Sequence, residues 1–519
     1  MAKRRDELAA YTFARKRTVA AFLAPEPGGS EEGAPRPVRT VMPSLAVGVI
    51  LVVGFIAWGV IKPAAPKGWD KPGEHVIVDS DSTTRYVVLE EGDHKILHPV
   101  LNYASAKLLL DKGKGSVIEV PAKEIDKSGI RHGPTIGIPY APDRLPAKED
   151  AEKAKTWAVC ERPGAGASPD RAVFVLDKED AKAVQGKGKV DSSEVLYVEE
   201  PKSKLRFLVD GKGNVFRLGS NAVNADPTLR NTLLAATIGS KNKPMPVSPE
   251  WLKTLDDSGT ISFPEIPSAG SPASVQGLPQ EAGTIGQVLK AEDAQGENFY
   301  VVLEDRVASI SEFEASLITN SPTAQGSMAD AVAVTTPEVS TANGGAAQPL
   351  GGHEEWPQQP PKQANEVNPA TGAANNTSCS VFDGTFDKAA KKPNLGAWAG
   401  KAYPRKVITD SLNAYVSSGS GLLFQQIKGT AAGGGGTYLL TDTGLRYSLP
   451  VGNDDASDKT GEKGNGAKEG EQPDETDKAR TRLGYEKVKD EVFVPQNWAE
   501  FIPKGPMLDT GSAKQAQSQ

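Results

Sequence analysis

Tyr86-Val87-Val88-Leu89-Glu90 recurs letter for letter far downstream as Tyr300-Val301-Val302-Leu303-Glu304, and looser versions stand at Leu196-Tyr197-Val198-Glu199 and Thr437-Tyr438-Leu439-Leu440. Short runs rich in aromatic and β-branched residues read as strands. Each is followed by a turn and a second short run: Lys95 to Pro99, Asn214 to Leu218, Val307 to Ile310 and Leu445 to Pro450. That is the pattern of a hairpin. Helix signals come next in three of the four copies. Asn102 precedes helix formers up to Leu110, Asp226 with Pro227 opens a stretch ending at Gly239, and Ser311 with Glu314 forms a capping box.

A closing element also repeats: Val120-Pro121-Ala122-Lys123-Glu124, Val247-Ser248-Pro249-Glu250-Trp251, Val334-Thr335-Thr336-Pro337-Glu338 and Val494-Pro495-Gln496-Asn497-Trp498. Proline just inside a short helix is what each suggests. The order of elements is kept in every copy, so the sequence reads as four small repeated units. Segments 149–195, 271–298 and 341–436 do not fit the repeat. A central domain assembled from discontinuous pieces accounts for them.

Ahead of the repeats, Val41 to Ile61 (VMPSLAVGVILVVGFIAWGVI) carries no charge. A helix of that length crosses a hydrocarbon core of roughly 30 Å. Some forty residues precede the run, too many for the short leader of a cleaved signal, so it reads as an uncleaved anchor. Lys3, Arg4, Arg5, Arg15, Lys16, Arg17, Arg36 and Arg39 lie before it, against Lys62, Lys67 and Lys71 just after it. Basic residues stay on the cytoplasmic side, so the N-terminus is expected inside and the bulk of the chain outside. Trp58 and Trp69 fall where an outer interfacial aromatic belongs. Only two cysteines occur, Cys160 and Cys379, both on the side assigned to the outside. An oxidising compartment lets them pair, worth about 2 to 5 kcal/mol; two unrelated buried thiols are the alternative.

The 519 residues include 59 Lys and Arg against 66 Asp and Glu, a net charge of −7, which argues against a nucleic-acid partner. No G-x-x-x-x-G-K-S/T run occurs, nor G-x-S-x-G, C-x-x-C or H-E-x-x-H. His75, His94, His98, His132 and His353 are scattered and read as surface imidazoles; His94 and His98 have metal spacing only on a helix. No catalytic group, metal or cofactor is expected. Composition predicts disorder over 342–378 and over the Gly- and charge-rich 454–479. In the N-terminal segment, Leu8, Tyr11, Thr18, Val19, Phe22 and Leu23 share one arc of a helical wheel, with Arg15 intruding. This basic, amphipathic helix suits an anionic leaflet or a partner's helix; a tail that only sets topology is the plainer reading.

Several of these stretches together carry a family resemblance. They are the AlaTyrThrPheAlaArgLysArg helix, the single span, the YVVLE hairpins, IGIPYAPDRLP from Ile136 to Pro146, the cysteine pair, TDTGLRYSLP from Thr441 to Pro450, and the IPKGPML ending. The chain resembles EccB, a membrane component of the type VII (ESX) secretion system of actinobacteria. The stretch before Cys379 and the insertion after Asp454 depart from that pattern. The resemblance implies a secretion-channel core subunit that works with EccC, EccD and EccE and associates with itself through its exported domain. It also implies an elongated body of four repeat units around a central domain, with a disulfide. Family members are sometimes labelled ATPases, a label that the missing phosphate loop weakens; an exported ATP hydrolase and a cell-wall-binding anchor are the alternative functions.

The expected fold class is therefore α+β, with one N-terminal transmembrane helix followed by an elongated extracytoplasmic body. The expected order is a cytoplasmic basic helix and linker (1–40), the span (41–61), a linker (62–84) and repeat unit 1 (85–146). A first segment of the central domain (147–195), unit 2 (196–268), a second central segment (269–298) and unit 3 (299–340) come next. The chain then continues through a low-complexity linker (341–378), a third central segment (379–436), unit 4 (437–508, with the disordered insertion 454–479) and a disordered tail (509–519). The residues expected to matter are the pair Cys160 and Cys379, and the partner-facing Leu8, Tyr11, Arg15, Val19 and Phe22.

Overall fold

The computed structural model describes residues 4–23, 37–61, 65–164, 168–324, 326–353, 355–365, 376–387, 391–407, 413–428, 435–450, 475–486, 488 and 492–517. The chain forms two compact units: Met1–Trp69 with Asp79–Ser82 and Ile118–Gly129, and the remainder, Asp70–Val78, Thr83–Val117 and Ile130–Gln519.

The smaller unit holds helix Arg4–Leu23 and helix Pro37–Ile61, the latter with Pro43 inside it. Among the described residues no helix is long and apolar enough to cross a membrane. Within Pro37–Ile61 the described side chains run from Val41 to Ile56, all exposed, so the expected span is described only in part. Elsewhere in this unit the Asp81 carboxylate accepts from the Ala122 N–H at 3.2 Å, fixing the start of helix Ala122–Lys127.

The larger unit is built from small sheets with one recurring order. In the second sheet a meander of Glu194–Glu199, Arg206–Asp210 and Asn214–Leu218 is flanked by two parallel edge strands, Met245–Pro246 and Asp256–Ile261. The third repeats this arrangement with Val288–Asp293, Gly296–Val302 and Val307–Ile310 between Val332–Ala333 and Gln348–Pro349. In the first, His75–Asp79, Arg85–Glu91 and His94–Pro99 form the meander, with Arg131–His132 parallel to its last strand. The fourth has Leu422–Ile427, Thr437–Leu440 and Arg446–Ser448, with Val492–Pro495 parallel at one edge and an Arg446–Lys504 parallel bridge at the other. The turns have a common chemistry: the Asp210 carboxylate accepts from the Lys212 and Asn214 N–H groups, and the Asp293 carboxylate from Gln295 and Gly296.

The helix signals hold. Asn102 caps Tyr103–Leu109, Asp226 and Pro227 open Pro227–Thr237, and Ser311 with Glu314 forms the capping box of Glu312–Thr319. Several boundaries change. Tyr86 and Tyr300 lie on the middle strands of their meanders, but Leu196 to Glu199 lies on a first strand, so the counterpart in the second sheet is Arg206–Asp210. Short apolar runs look alike whichever strand they occupy. The supposed linker 62–84 supplies His75–Asp79, with Val76 and Ile77 fully buried. Segment 269–298 supplies the leading strand of the third sheet, not a central domain, and Leu422–Ile427 belongs to the fourth.

The central sheet runs Pro393–Gly400, Thr377–Phe386, Thr156–Arg162, Asp170–Leu176, Ala414–Val416. One face carries Trp157, Val159, Val173, Val175 and Phe382 and shares a core with the second and fourth sheets. Trp157 meets Phe424 edge-on at 6.0 Å, and Phe382 meets Trp498 at 5.7 Å. The first and fourth sheets also share a core, in which Leu108 packs with Leu439, Tyr447, Leu483 and Tyr485.

Three stretches expected to be disordered are ordered where they are described. Trp356 is buried, stacked on His353 at 3.9 Å and edge-on to Phe313, and Asn365 is fully buried. Helix Glu475–Leu483 buries Ala479 and Leu483; residues 451–474, most of the expected acidic insertion, lie outside the described residues. The tail forms helix Thr510–Ala513, and Gln517 donates to the Gly137 carbonyl at 2.7 Å. Composition averages over a window, and a few anchoring side chains are enough to hold a polar segment.

Candidate functional site

Alternation along Thr156–Arg162 puts Trp157, Val159 and Glu161 on one face of the central sheet and Ala158 and Cys160 on the other. Cys160 stands directly opposite Cys379, and the two form a disulfide with a Cα–Cα distance of 4.0 Å. The bridge is fully buried among Ala158, Phe174, Leu176 and Trp398. Tyr403 covers this face, its hydroxyl donating to the Asp170 carbonyl at 3.0 Å, and burial pushes its pKa up to about 12. The sequence left two free thiols open as an alternative; the cysteines are paired.

On the opposite face the fully buried Glu161 joins the central sheet to the second sheet. It accepts from the Ser248 N–H at 2.7 Å, the Ser248 hydroxyl at 2.6 Å and the Arg171 guanidinium at 2.7 Å. Ser248 caps helix Pro249–Leu252, and Trp251 in that helix donates its indole N–H to the Val159 carbonyl at 2.8 Å. The Thr254 hydroxyl donates to Ser380 at 2.6 Å, and the Arg171 guanidinium lies 4.9 Å from the Phe501 ring centre. A fully buried carboxylate with this many donors has its hydrogen-bonding capacity met at one junction.

Asn365 makes a second junction. Its side-chain oxygen accepts from the Tyr197 N–H at 2.8 Å, and its amide donates to the Tyr197 carbonyl and to Ser378 Oγ, both at 3.0 Å. Strand Lys362–Gln363 pairs with the same edge beside Glu194 and Val195. A third junction is Asp150, which accepts from Lys155 at 2.5 Å, the Ser420 hydroxyl at 2.8 Å and the Gly421 N–H at 2.9 Å. Burial works against this carboxylate, but hydrogen bonds from Lys155, Gly421 and Ser420 prevail and hold its pKa below the usual value. Asp180 follows the same pattern: Ser417, Tyr415 and Arg405 offset its burial.

Among the described residues no group of His, Cys, Asp and Glu is arranged to hold a metal ion. His94 and His98 share a strand, so the helical ligand spacing does not arise. Two histidines depart from the surface reading. His98 is buried between the Pro134 carbonyl at 3.0 Å and Glu91 at 3.1 Å, and His353 lies 3.1 Å from Glu314.

Leu8, Tyr11, Arg15, Val19 and Phe22 all lie on helix Arg4–Leu23 and are exposed. Their arc also receives Arg4, and Phe13 projects on the other side, so apolar and basic side chains are little segregated. Sequence reasoning found the cysteines but missed Glu161, Arg171, Ser248, Asn365 and Asp150. One signal was available: a glutamate closing the apolar run Trp157 to Cys160.

The family model described as type VII secretion system ESX-1, transport TM domain B (EccB) matches residues 2–519. The ESX-1 secretion system ATPase EccB1 of Mycolicibacterium smegmatis is 28% identical over 283 residues, 54% of each chain. The ESX-2 secretion system ATPase EccB2 of Mycobacterium tuberculosis is 30% identical over 304 residues, 57% of this chain and 55% of the relative. The matches thus span about half the length of these curated relatives. Among solved structures, an intact ESX-5 inner membrane complex has a chain with a TM-score of 0.59 at 19% identity, covering 100% of this chain and 96% of that one. An EccB3 dimer from the ESX-3 core complex gives 0.57 at 21% identity, covering 85% and 100%. At these identities the structural likeness shows the mixed α/β fold.

Proposed function

The chain belongs to the EccB family of type VII secretion components, and on that premise we propose that it is a structural core subunit of an ESX inner membrane complex. The observation that carries this reading is the use made of Glu161. This fully buried carboxyl group, with Arg171 and Ser248, ties a sheet from one region of the chain to the closing helix of another. Joints of this kind hold modules in fixed relative places, as a scaffold requires.

Helix Pro37–Ile61 is the membrane anchor in this reading. Its 25 residues contain no ionisable group after Arg39, and a helix of that length rises about 37 Å, enough for a hydrocarbon core of about 30 Å. The basic residues before it place the N-terminus in the cytoplasm. The remainder lies outside, where oxidising conditions suit the Cys160–Cys379 bridge. The recurring sheet order supports four repeat units around the central sheet.

Helix Arg4–Leu23, through Leu8, Tyr11, Arg15, Val19 and Phe22, is assigned to contact with EccC, EccD and EccE. Self-association through the larger unit is supported by the dimer seen for EccB3. The curated relatives carry the word ATPase in their names, yet no Walker-type run occurs in this sequence, so hydrolysis is assigned to a partner. Affinity purification of the full chain from native membranes tests the reading. Recovery of the other core components supports it, and recovery of the chain alone opposes it.

A further inference from the structure

A cleft of about 440 Å³ opens where the second, central and fourth sheets come together. Three distant regions of the chain each bring one lysine to it. Lys212 comes from the turn before Asn214–Leu218, Lys392 directly precedes strand Pro393–Gly400, and Lys428 directly follows Leu422–Ile427. Its floor is apolar, formed by Leu255, Leu395 and Trp498. The walls are held against each other. Gly213, with φ at +80°, lies so close to Leu395 that an added Cβ would come within 2.5 Å of Leu395 Cβ, and the Asn497 amide donates to the Lys253 carbonyl.

Of the two carboxylates in the wall, Asp256 accepts from Lys392 at 2.7 Å and is ion-paired, while Glu500 accepts from the neutral Gln496 amide at 2.5 Å and keeps its charge, so three lysines face two carboxylates. Lys212 and Lys428 make no ion pair among the described residues. Among the described residues, two ammonium groups without an ion-pair partner therefore stand over a preformed apolar floor at a junction of modules, the setting in which binding clefts occur. Scattered surface lysines need no such convergence.

We propose that this cleft binds an acidic stretch of extended polypeptide, with carboxylates on Lys212 and Lys428 and an apolar side chain on the floor. Carboxylates for the two ammonium groups and an apolar side chain for Leu255, Leu395 and Trp498 are chemistry that a peptide carries on one chain. This inference does not rest on complex membership, because it is measured on the isolated chain; failure to recover partners leaves it standing.

The test uses the full chain in detergent and the fluorescein-labelled peptide Gly-Glu-Leu-Leu-Glu-Gly, with its Gln-for-Glu counterpart as the neutral probe, followed by anisotropy at low salt. The acidic peptide should bind about tenfold more tightly than the neutral one, as two exposed charge contacts allow. The double variant Lys212→Glu with Lys428→Glu should erase that preference, as should the milder Lys212→Gln with Lys428→Gln, while Lys202→Glu should keep it. Equal binding of the two peptides, or an unchanged preference in the double variants, overturns the proposal. Displacement of the acidic peptide by inorganic phosphate as readily as by unlabelled peptide also overturns it, in favour of a small-anion site.

Discussion

Glu161 and Ser248, 87 residues apart, grip one another twice: the Ser248 N–H donates to one carboxylate oxygen at 2.7 Å and its hydroxyl to the other at 2.6 Å. Neither oxygen reaches water, since Glu161 is fully buried. Removing the carboxylate leaves the Arg171 Nε–H and the Ser248 N–H without their acceptor. Glu161→Ala should therefore cost about 3 to 5 kcal/mol. Glu161→Gln should cost less, since it keeps the shape and one acceptor. Chemical denaturation of the three proteins checks the order; equal stabilities would contradict the joint.

Asn365 completes a strand edge with a side chain. Both its amide atoms bond to the backbone of Tyr197, where a neighbouring strand would otherwise pair. Asn365→Leu fills the space and leaves that N–H and carbonyl unpaired, at about 1 to 3 kcal/mol. Hydrogen exchange should accelerate at Tyr197 and remain slow in the Tyr86–Pro99 hairpin. Unchanged protection at Tyr197 would dismiss the edge-closing role.

The Cys160–Cys379 bridge closes a loop with a sequence separation of 219. Chain-entropy reasoning gives about 2 to 5 kcal/mol for such a loop. The paired Cys160→Ala and Cys379→Ala variant should melt at a lower temperature than the oxidised protein and match its far-UV circular dichroism at room temperature. Because both sulfurs are buried, reductant should act on the bridge only slowly without denaturant. Rapid reduction in the native state would contradict the burial.

Asp150 sets a pH dependence. Its pKa in the folded protein lies below the ordinary 3.8, with burial outweighed by bonds from Lys155, Gly421 and Ser420. A depressed carboxylate contributes stability that is fully present above the unfolded value and is lost as pH falls through the folded one. Thermal unfolding followed from neutral pH downward should show a loss beginning near pH 4. In Asp150→Asn that component of the slope should vanish, and the protein should already be weaker at neutral pH, because Lys155 is only 4% exposed and loses its partner. Parallel slopes for the two proteins would remove Asp150 from the account.

Local chemistry was legible in the sequence and long-range chemistry was not. The capping signals at Asn102, Asp226 and Ser311 were read correctly because each is satisfied within a few residues. The match between Tyr86 and Tyr300 revealed recurrence, since equivalent strands meet equivalent cores. Tyr197 misled because first and middle strands of a meander share the same apolar alternation. The partners of Glu161 and Asn365 lie 87 and 168 residues away, and no spacing rule reaches that far. The order around Trp356 and Asn365 escaped for a related reason: one aromatic and one amide hold a stretch whose average composition is that of a linker.

Membership of an inner membrane complex as a structural subunit is decided by affinity purification of the full chain, tagged at its C-terminus, from detergent-solubilised native membranes, with mass spectrometry of what accompanies it and ATP turnover assayed on the chain alone. EccC, EccD and EccE should be recovered with a second, differently tagged copy, and the isolated chain should show no turnover above a mock preparation. Recovery of the chain by itself, with ATP hydrolysis that follows it through purification, would contradict it.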